Sequence, residues 1–268
     1  MYVIHPGVTQ SGEYGLGNQM FQIASTIGIA RNNNGFPTFI HDWNNNKYFK
    51  NKLNKLLTVY KEPFHVTEAS FDYSPINLPK DKPVIYLSGY LQSDKYFNGA
   101  EEEVKNTFEF KEDNLKEVTD IKNSLNLGVT CSISVRRGDY VHLQHIHPLQ
   151  PDAYWLNAQN IIESKTKIDT YIVFSDDINW CKTNQHLFKR TGKKVFFMEG
   201  RTQIDDFIMI TLCDHNIITN STFAWWGAYL NKNLNKIVVM PSLWFGPQGP
   251  WSGPSNANDL HVKGWYRV

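Results

Sequence analysis

From residue 129 onward, short apolar runs alternate with longer amphipathic segments. Short runs rich in Val, Ile and Phe predict buried strands, and apolar residues three or four positions apart predict helices. We expect strands at 129–135, 171–174, 194–198, 216–219 and 237–240, and helices at 151–165, 178–189, 204–213 and 222–230. This alternation is typical of a parallel sheet covered by helices on both faces. The pattern therefore predicts a Rossmann-like unit.

The chain before residue 128 follows the same plan less regularly. Strands are predicted at 2–4, 35–40 and 82–90, with helices at 15–31 and 101–122. The Asn- and Lys-rich run at 44–55 is predicted to be a solvated, partly helical excursion. Taken together, the pattern predicts the α/β class, with two Rossmann-like halves that face a crevice and a boundary near residue 127.

Composition and charge exclude several classes of protein. A formal net charge of +1 over 268 residues argues against a nucleic-acid-binding surface. Cys131, Cys181 and Cys213 follow no metal-binding spacing, so we expect free thiols. The amino terminus lacks the apolar run of a signal peptide, and no stretch of about 18 apolar residues occurs. We therefore expect a cytoplasmic protein without a transmembrane segment.

The strongest candidates for chemistry are Arg136 and Arg137, which directly follow the predicted strand 129–135. In open α/β sheets, ligands bind at the carboxyl ends of strands. Arginine stays charged and offers a planar fork of donors that matches phosphate oxygens. One hypothesis is a diphosphate site. The other is that one or both arginines simply pair with Asp139 or another carboxylate, and the segment alone favours neither.

Two further strand-to-helix turns have the character of anion sites. Gly15 and Gly17 stand where one predicted helix begins, and Ser221 and Thr222 open another. The first N–H groups of a helix lack partners within it and attract negative charge. The alternatives are a tight turn needed for packing in the first case and an ordinary helix cap in the second.

Acidic residues also stand at element ends. Asp205 and Asp206 open a predicted helix, where carboxylates suit the helix dipole. A carboxylate placed there can also accept two N–H bonds from the edge of a guanine. Asp176 and Asp177 end a predicted strand in the same way.

The sequence offers no recognisable metal site. The Asp-x-Asp motif that many metal-dependent sugar transferases use does not occur. His142, His145 and His147 follow the arginine pair, but their spacing in a predicted loop matches no known ligand set. We expect no bound metal.

Four segments together resemble a known family. They are GLGNQMFQ at 15–22, GYLQS at 89–93, RRGDY at 136–140 and NSTFAWWGA at 220–228. Their order is similar to that in the α-1,2-fucosyltransferases of glycosyltransferase family 11. The resemblance covers most of the chain.

The resemblance implies a B-type glycosyltransferase fold and an inverting transfer without an obligatory metal or other cofactor. L-Fucose would move from GDP-β-L-fucose to the 2-hydroxyl of a terminal galactose on a glycan acceptor. Residues 1–127 would form the acceptor-side domain and residues 128–268 the GDP-fucose-binding domain. Because no membrane anchor is expected, a bacterial enzyme of O-antigen or similar glycan synthesis fits best.

The resemblance also implies roles for individual residues. Arg136 would hold the β-phosphate, and Asn18 would lie near the departing diphosphate, so these two are the expected catalytic residues. Asp205 is the preferred guanine-binding acid, with Asp206 as the alternative. The expected donor-binding residues are Gly17, Ser134, Arg137, Asp205, Ser221, Thr222 and Phe223.

The chain departs from the family pattern at Ser134, where the family usually has histidine. We expect Ser134 to contact the donor nucleotide and not the acceptor hydroxyl. The sequence identifies no general base. Two other hypotheses remain open: a GDP-fucose-dependent transferase of different linkage or acceptor, and a carbohydrate-binding module without turnover.

Overall fold

The structure is a computed structural model, which describes residues 1–8, 15–40, 42–54, 62–249 and 257–268. The chain divides into two compact units. The first comprises Met1–Glu112 with Ala257–Val262, and the second comprises Asp113–Asn256 with Lys263–Val268. The assignment of an acceptor role to residues 1–127 and a donor role to residues 128–268 stays a prediction.

The first unit contains a four-stranded parallel sheet. Its strands are β1 (Tyr2–Ile4), β2 (Phe36–Thr38), β3 (Phe64–Thr67) and β4 (Val84–Ser88), in the order β2-β1-β4-β3. The α-helices among its described residues are α1 (Leu16–Asn32) and α2 (Glu101–Thr107). Helix α1 is buried on almost every side, and a Cβ at Gly28 would lie 2.2 Å from Cα of Phe97. Glycine at this position therefore permits close packing of α1 against the backbone at Phe97.

The second unit contains a six-stranded parallel sheet in the order β10-β9-β8-β5-β6-β7. The strands are β5 (Thr130–Val135), β6 (Thr170–Ser175), β7 (Lys194–Phe197), β8 (His215–Ile217), β9 (Val238–Met240) and β10 (Tyr266–Arg267). Its helices are α3 (Glu112–Ser124), which starts at the unit boundary, α4 (Asp152–Glu163), α5 (Ile178–Thr183), α6 (Gln203–Leu212) and α7 (Thr222–Leu230).

The order of this sheet places a topological switch point at β5. The chain runs from β5 through β6 to β7 on one side, and then continues through β8 and β9 on the other. All six residues of β5 are buried, so the strand is the centre of the unit. Ligands of open α/β sheets bind beside the carboxyl ends of strands at such a point. Arg136 is the first residue after β5.

The parallel α/β class predicted from the sequence is confirmed. The predicted helix at 101–122 is instead two helices, because Phe108 and Phe110 turn inward and Phe110 pairs with Phe49 as an isolated bridge. Strands β3 and β10 were not predicted. Within the described residues, none of the helices is both long and apolar enough to cross a bilayer.

Candidate active site

A cavity of about 270 Å³ opens in the second unit at the carboxyl edge of its sheet. Its walls come from the ends of β5 and β6, from one face of α6, from the first turn of α7, and from the residues between β8 and α7. The lining residues are Ser134, Val135, Arg136, Phe174, Ser175, Asp176, Gln203, Asp206, Ile210, Thr219, Ser221, Phe223 and Ala224. The cavity thus brings together an arginine, acidic side chains and the start of a helix. The sequence placed these groups on separate elements and could not show that they meet.

Arg136 lies in this cavity between two carboxylates. Its Nη2 donates to Oδ1 of Asp139 at 2.6 Å, and its Nη1 is 2.9 Å from Oδ2 of Asp176. The guanidinium carbon is also 5.3 Å from the ring centroid of Tyr140. Arg136 therefore agrees with both hypotheses for the arginine motif. Its side chain pairs with carboxylates, and it also lines a cavity large enough for a ligand.

Arg137 has different surroundings and does not line the cavity. Its guanidinium carbon lies 3.9 Å from the ring centroid of Trp180, and its Nε donates to Oδ2 of Asp177 at 3.1 Å. Cation–π stacking and an ion pair together hold the side chain against α5. Its role in donor binding stays a prediction that this geometry does not support.

The first turn of α7 forms a second wall of the cavity. Ser221 is the N-cap residue with extended backbone, and its side chain makes no capping bond to the helix. The amides at the start of an α-helix have no acceptor within the helix, so those of Phe223 and Ala224 suit a bound anion. Thr222, the first helical residue, is not among the residues that line the cavity. The tryptophans that follow, Trp225 and Trp226, are fully buried core residues.

Asp205 and Asp206 both lie in the first turn of α6, but their side chains have different surroundings. Asp205 forms a capping box, in which its carboxylate accepts from the N–H of Thr202 at 3.1 Å while its own N–H donates to Oγ1 of Thr202 at 3.3 Å. Asp206 lines the cavity instead, and its buried Oδ1 has no hydrogen-bond partner among the described residues. Burial raises the pKa of Asp206 to about 7, with a further increase from the charge of Asp205. An unpaired acid in a cavity is a ligand-binding candidate.

Ser134 is the penultimate residue of β5 and also lines the cavity. It is 5% exposed, and its Oγ has no hydrogen-bond partner among the described residues. A buried hydroxyl without a partner carries a desolvation penalty that a ligand can remove. Ser134 and Asp206 thus each contribute to the cavity a buried side-chain oxygen that has no partner among the described residues.

The remaining predicted residues, Gly17 and Asn18, lie in the first turn of α1 in the first unit. Oδ1 of Asn18 accepts from Nε2 of Gln92 at 3.1 Å, and Gln92 is buried in the loop after β4. That loop is held by the buried carboxylate of Glu68, which accepts from the N–H groups of Tyr90 and Leu91 at 2.8 and 3.1 Å. The carboxamide of Asn18 therefore has a defined orientation.

Sequence reasoning did not assign cavity roles to Gln203, Thr219 or Asp176. Asp176 carried a usable signal, because it is an acid at the end of a buried strand next to β5. Among the described residues, His, Cys, Asp and Glu form no group of three able to hold a metal ion. His147 stacks on Tyr140, with ring centroids 4.6 Å apart, and burial lowers its pKa.

The comparisons with known sequences agree on one family of glycosyltransferases. Residues 9–248 match the family profile described as Glycosyl transferase family 11. An α-1,2-colitosyltransferase of Escherichia coli is 33% identical over 192 residues, covering 70% of this chain and 63% of that protein. The O-antigen biosynthesis glycosyltransferase WbnK of the same species is 32% identical, covering 68% of this chain and 60% of its own. Human galactoside α-(1,2)-fucosyltransferase 1 is 29% identical over 55% of this chain and 43% of its own.

Solved structures show the same fold at low identity. The NodZ α-1,6-fucosyltransferase soaked with GDP-fucose superposes with a TM-score of 0.56 at 13% identity, covering 85% of this chain and 92% of its own. POFUT1 in complex with GDP gives 0.55 at 10% identity, covering 89% and 97%. This likeness confirms the B-type glycosyltransferase fold. By contrast, the matches to the two E. coli relatives leave more than a third of each relative uncovered.

Proposed function

Because this chain belongs to glycosyltransferase family 11, we propose that it is an inverting fucosyltransferase. L-Fucose is transferred from GDP-β-L-fucose to the 2-hydroxyl of a terminal galactose on a glycan. The named α-(1,2)-fucosyltransferase among its relatives supports the linkage. The E. coli relative named for O-antigen biosynthesis supports a surface glycan as the product.

The observation that carries the proposal is the composition of the cavity at the switch point. Arg136 supplies a fixed positive charge, the start of α7 supplies backbone N–H groups, and Asp206 supplies a carboxylate whose Oδ1 has no partner among the described residues. A nucleoside diphosphate needs these features, because it has two charged phosphates at one end and a hydrogen-bonding base at the other. The sheet topology independently favours this edge for a ligand.

Within this proposal, Asp206 is the guanine-binding acid in preference to Asp205. An ionised carboxylate accepts from the N1–H and the amino group of guanine at once. Asp205 is already engaged by Thr202, whereas Oδ1 of Asp206 has no partner among the described residues. Ser134 lies in the same cavity and offers one hydroxyl to the nucleotide.

The chemical step requires stabilisation of the leaving group. The bond between the fucose C1 and the β-phosphate oxygen breaks, its electron pair stays on the phosphate, and the acceptor hydroxyl attacks C1 from the opposite face. The hydroxyl proton passes to water, so the products are the fucosylated glycan, GDP and a proton. Negative charge grows on the diphosphate and positive charge on the sugar. Arg136 and the amides at the start of α7 stabilise the negative charge on the diphosphate, and they do so more strongly in the transition state than in the ground state. Asn18, oriented by Gln92, is assigned to the departing diphosphate and sugar by the family resemblance alone.

The name of one relative suggests a second candidate for the sugar donor. The E. coli α-1,2-colitosyltransferase is 33% identical to this chain. Colitose is fucose without the 3-hydroxyl group, so a cavity that holds the guanosine and diphosphate identically would suit either sugar. A GDP-linked colitose donor is therefore tested alongside GDP-fucose.

The experiment is incubation with each donor and a panel of galactose-terminated glycans, read by mass spectrometry. A mass increase of one deoxyhexose with GDP-fucose supports the proposal, and digestion with a linkage-specific fucosidase identifies the 2-position. Glycans whose galactose carries a 2-O-methyl group serve as the control acceptor and should stay unmodified. Binding without turnover of either donor would instead support a carbohydrate-binding module.

A further inference from the structure

We propose that Asp176 is a positioning residue that fixes the direction of the Arg136 guanidinium. The inference rests on the transfer reaction proposed above. Asp176 follows β6, the neighbour of β5, and its carboxylate bridges the backbone and the side chain of the arginine motif. Oδ1 accepts from the N–H of Arg137 at 2.8 Å, and Oδ2 is 2.9 Å from Nη1 of Arg136.

The glycine of the motif has a physical explanation in this contact. A Cβ at Gly138 would lie 2.4 Å from Oδ2 of Asp176, which is closer than carbon and oxygen atoms approach without a bond. The absence of a side chain therefore lets the backbone turn pass directly beside the carboxylate. Three consecutive residues, Arg136, Arg137 and Gly138, thus all contact Asp176, the residue after β6.

The second acid beside Arg136 differs from Asp176 in its anchoring. Asp139 stands three residues along the same loop, and its side chain is 53% exposed, against 26% for Asp176. Exposed ion pairs of this kind contribute little fixed geometry. Asp176 has a backbone N–H as a further partner, so it is the better fixed of the two. Two of the five N–H donors of a guanidinium meet these acids, which leaves three for a phosphate.

Asp176 affects the bound nucleotide in two opposite ways, through the position of the Arg136 guanidinium and through its own negative charge. A guanidinium held in place stabilises the leaving diphosphate without reorganisation in the transition state. The negative charge of Asp176, which lines the same cavity, repels the diphosphate in the ground state. Removal of that charge should therefore slow the chemical step without weakening GDP binding. A residue with a merely structural role would impair both.

The test compares Asp176→Asn with Asp177→Asn. Asparagine at 176 keeps an oxygen for the N–H of Arg137 but turns an amide donor toward Arg136. The control removes the same charge one residue away. Asparagine is also a good N-cap residue, so at position 177 it can still accept the hydrogen bond from the N–H of Trp180. Arg137 keeps its stacking on the Trp180 ring.

We expect Asp176→Asn to lower kcat about tenfold or more, with the calorimetric Kd for GDP unchanged or tighter. Asp177→Asn should keep kcat within about twofold. In an Arg136→Lys background, Asp176→Asn should lower kcat by less than about threefold, because residues that act as a unit are not additive.

Three results would overturn the inference. The first is a normal kcat for Asp176→Asn, and the second is a full multiplicative loss in the Arg136→Lys background. The third is a parallel loss of GDP binding and melting temperature, which would make Asp176 structural. A wild-type protein that turns over no GDP-fucose would overturn the proposed function, and this inference with it. The first three results leave the proposed function standing.

Discussion

Asp205 and Asp206 are sequence neighbours whose carboxylates lie in different environments. Asp205 is bound to Thr202 in a capping box, whereas Asp206 lines the cavity with its Oδ1 unpaired among the described residues. The difference arises because adjacent residues on a helix are about 100° apart. One acid therefore stabilises the helix start and the other is available to a ligand.

The first prediction separates these two roles. Asp206→Asn should weaken GDP binding about tenfold or more, because an amide cannot accept from both guanine donors and a charge-assisted hydrogen bond is lost. Asp205→Asn should leave the Kd for GDP within about twofold and lower the melting temperature instead, because the capping box is weakened. Isothermal calorimetry and thermal melting of both variants give the answer. Equal, wild-type affinity in both would remove the acid from the nucleotide site.

The second prediction concerns pH and nucleotide affinity. Burial raises the pKa of Asp206 to about 7, and guanine binding needs the ionised form. The affinity for GDP should therefore fall below pH 7, approaching about tenfold per pH unit from this one group. The terminal phosphate of GDP also titrates near this range, so Asp206→Asn is the control that isolates the contribution of the carboxyl. An identical pH dependence in wild type and variant would contradict the assignment.

The same pKa shift affects stability with the opposite sign. The folded-state pKa of Asp206 is about 7 and the unfolded value is 3.8, so the folded state binds the proton more tightly. The resulting stabilisation is fully present below pH 3.8 and is lost as the pH rises through about 7. Asp206→Asn should therefore melt a few degrees above wild type at pH 8, and this difference should shrink at pH 5. A variant that is destabilised equally at both values would mean that burial does not raise this pKa.

The difference between the two acids shows how far reasoning from the sequence reaches. Thr202 and Asp205 stand three positions apart, which is the spacing of a capping box, so the role of Asp205 was open to prediction. For the guanine-binding acid the sequence left Asp206 only as the alternative to Asp205, because the face of α6 that meets the cavity depends on how β5 and α7 are placed around it. Local patterns describe an element, whereas a site depends on neighbours that are distant in sequence.

The strand-end arginine motif illustrates the same limit. The strand before Arg136 and the helix after Ser221 were predicted from apolar periodicity, and both are present. The sequence could not distinguish the surroundings of Arg136 and Arg137, since both have the same chemistry and adjacent positions. Only the structure shows that Trp180 covers one guanidinium and that the other lines the cavity.

The third prediction concerns Arg136 alone. Arg136→Lys keeps the positive charge but replaces the planar fork, so one ammonium group must serve Asp139, Asp176 and the phosphate. The value of kcat should fall about a hundredfold or more, by the scale of a lost oxyanion donor. Steady-state kinetics with saturating donor measure the change, and Arg137→Lys is a matched substitution outside the cavity. A near-normal rate for Arg136→Lys would remove this residue from the chemical step.

The fourth prediction concerns metal ions. The cavity already supplies positive potential through Arg136 and the start of α7, which can replace a metal at the leaving diphosphate. Excess EDTA should therefore leave most of the turnover intact. The assay is run on protein dialysed against EDTA, with Mg²⁺ or Mn²⁺ added back to half of the sample. Loss of turnover that either ion restores would show that the diphosphate is neutralised by a metal.

The last prediction concerns Ser134, where this chain departs from the family pattern. If the usual histidine were an obligatory proton acceptor, this protein would be inactive, because a serine without a partner is a poor base. We expect activity, since Arg136 and the Ser221 turn both line the cavity. The buried Oγ of Ser134 lacks a partner among the described residues, so the nucleotide is the expected one. Ser134→Ala should raise the KM for GDP-fucose by a few fold, or about 1 kcal/mol for one neutral hydrogen bond, with little change in kcat. Saturation curves in donor and in acceptor separate these quantities, and a collapse of kcat at saturating donor would place Ser134 in the chemical step instead.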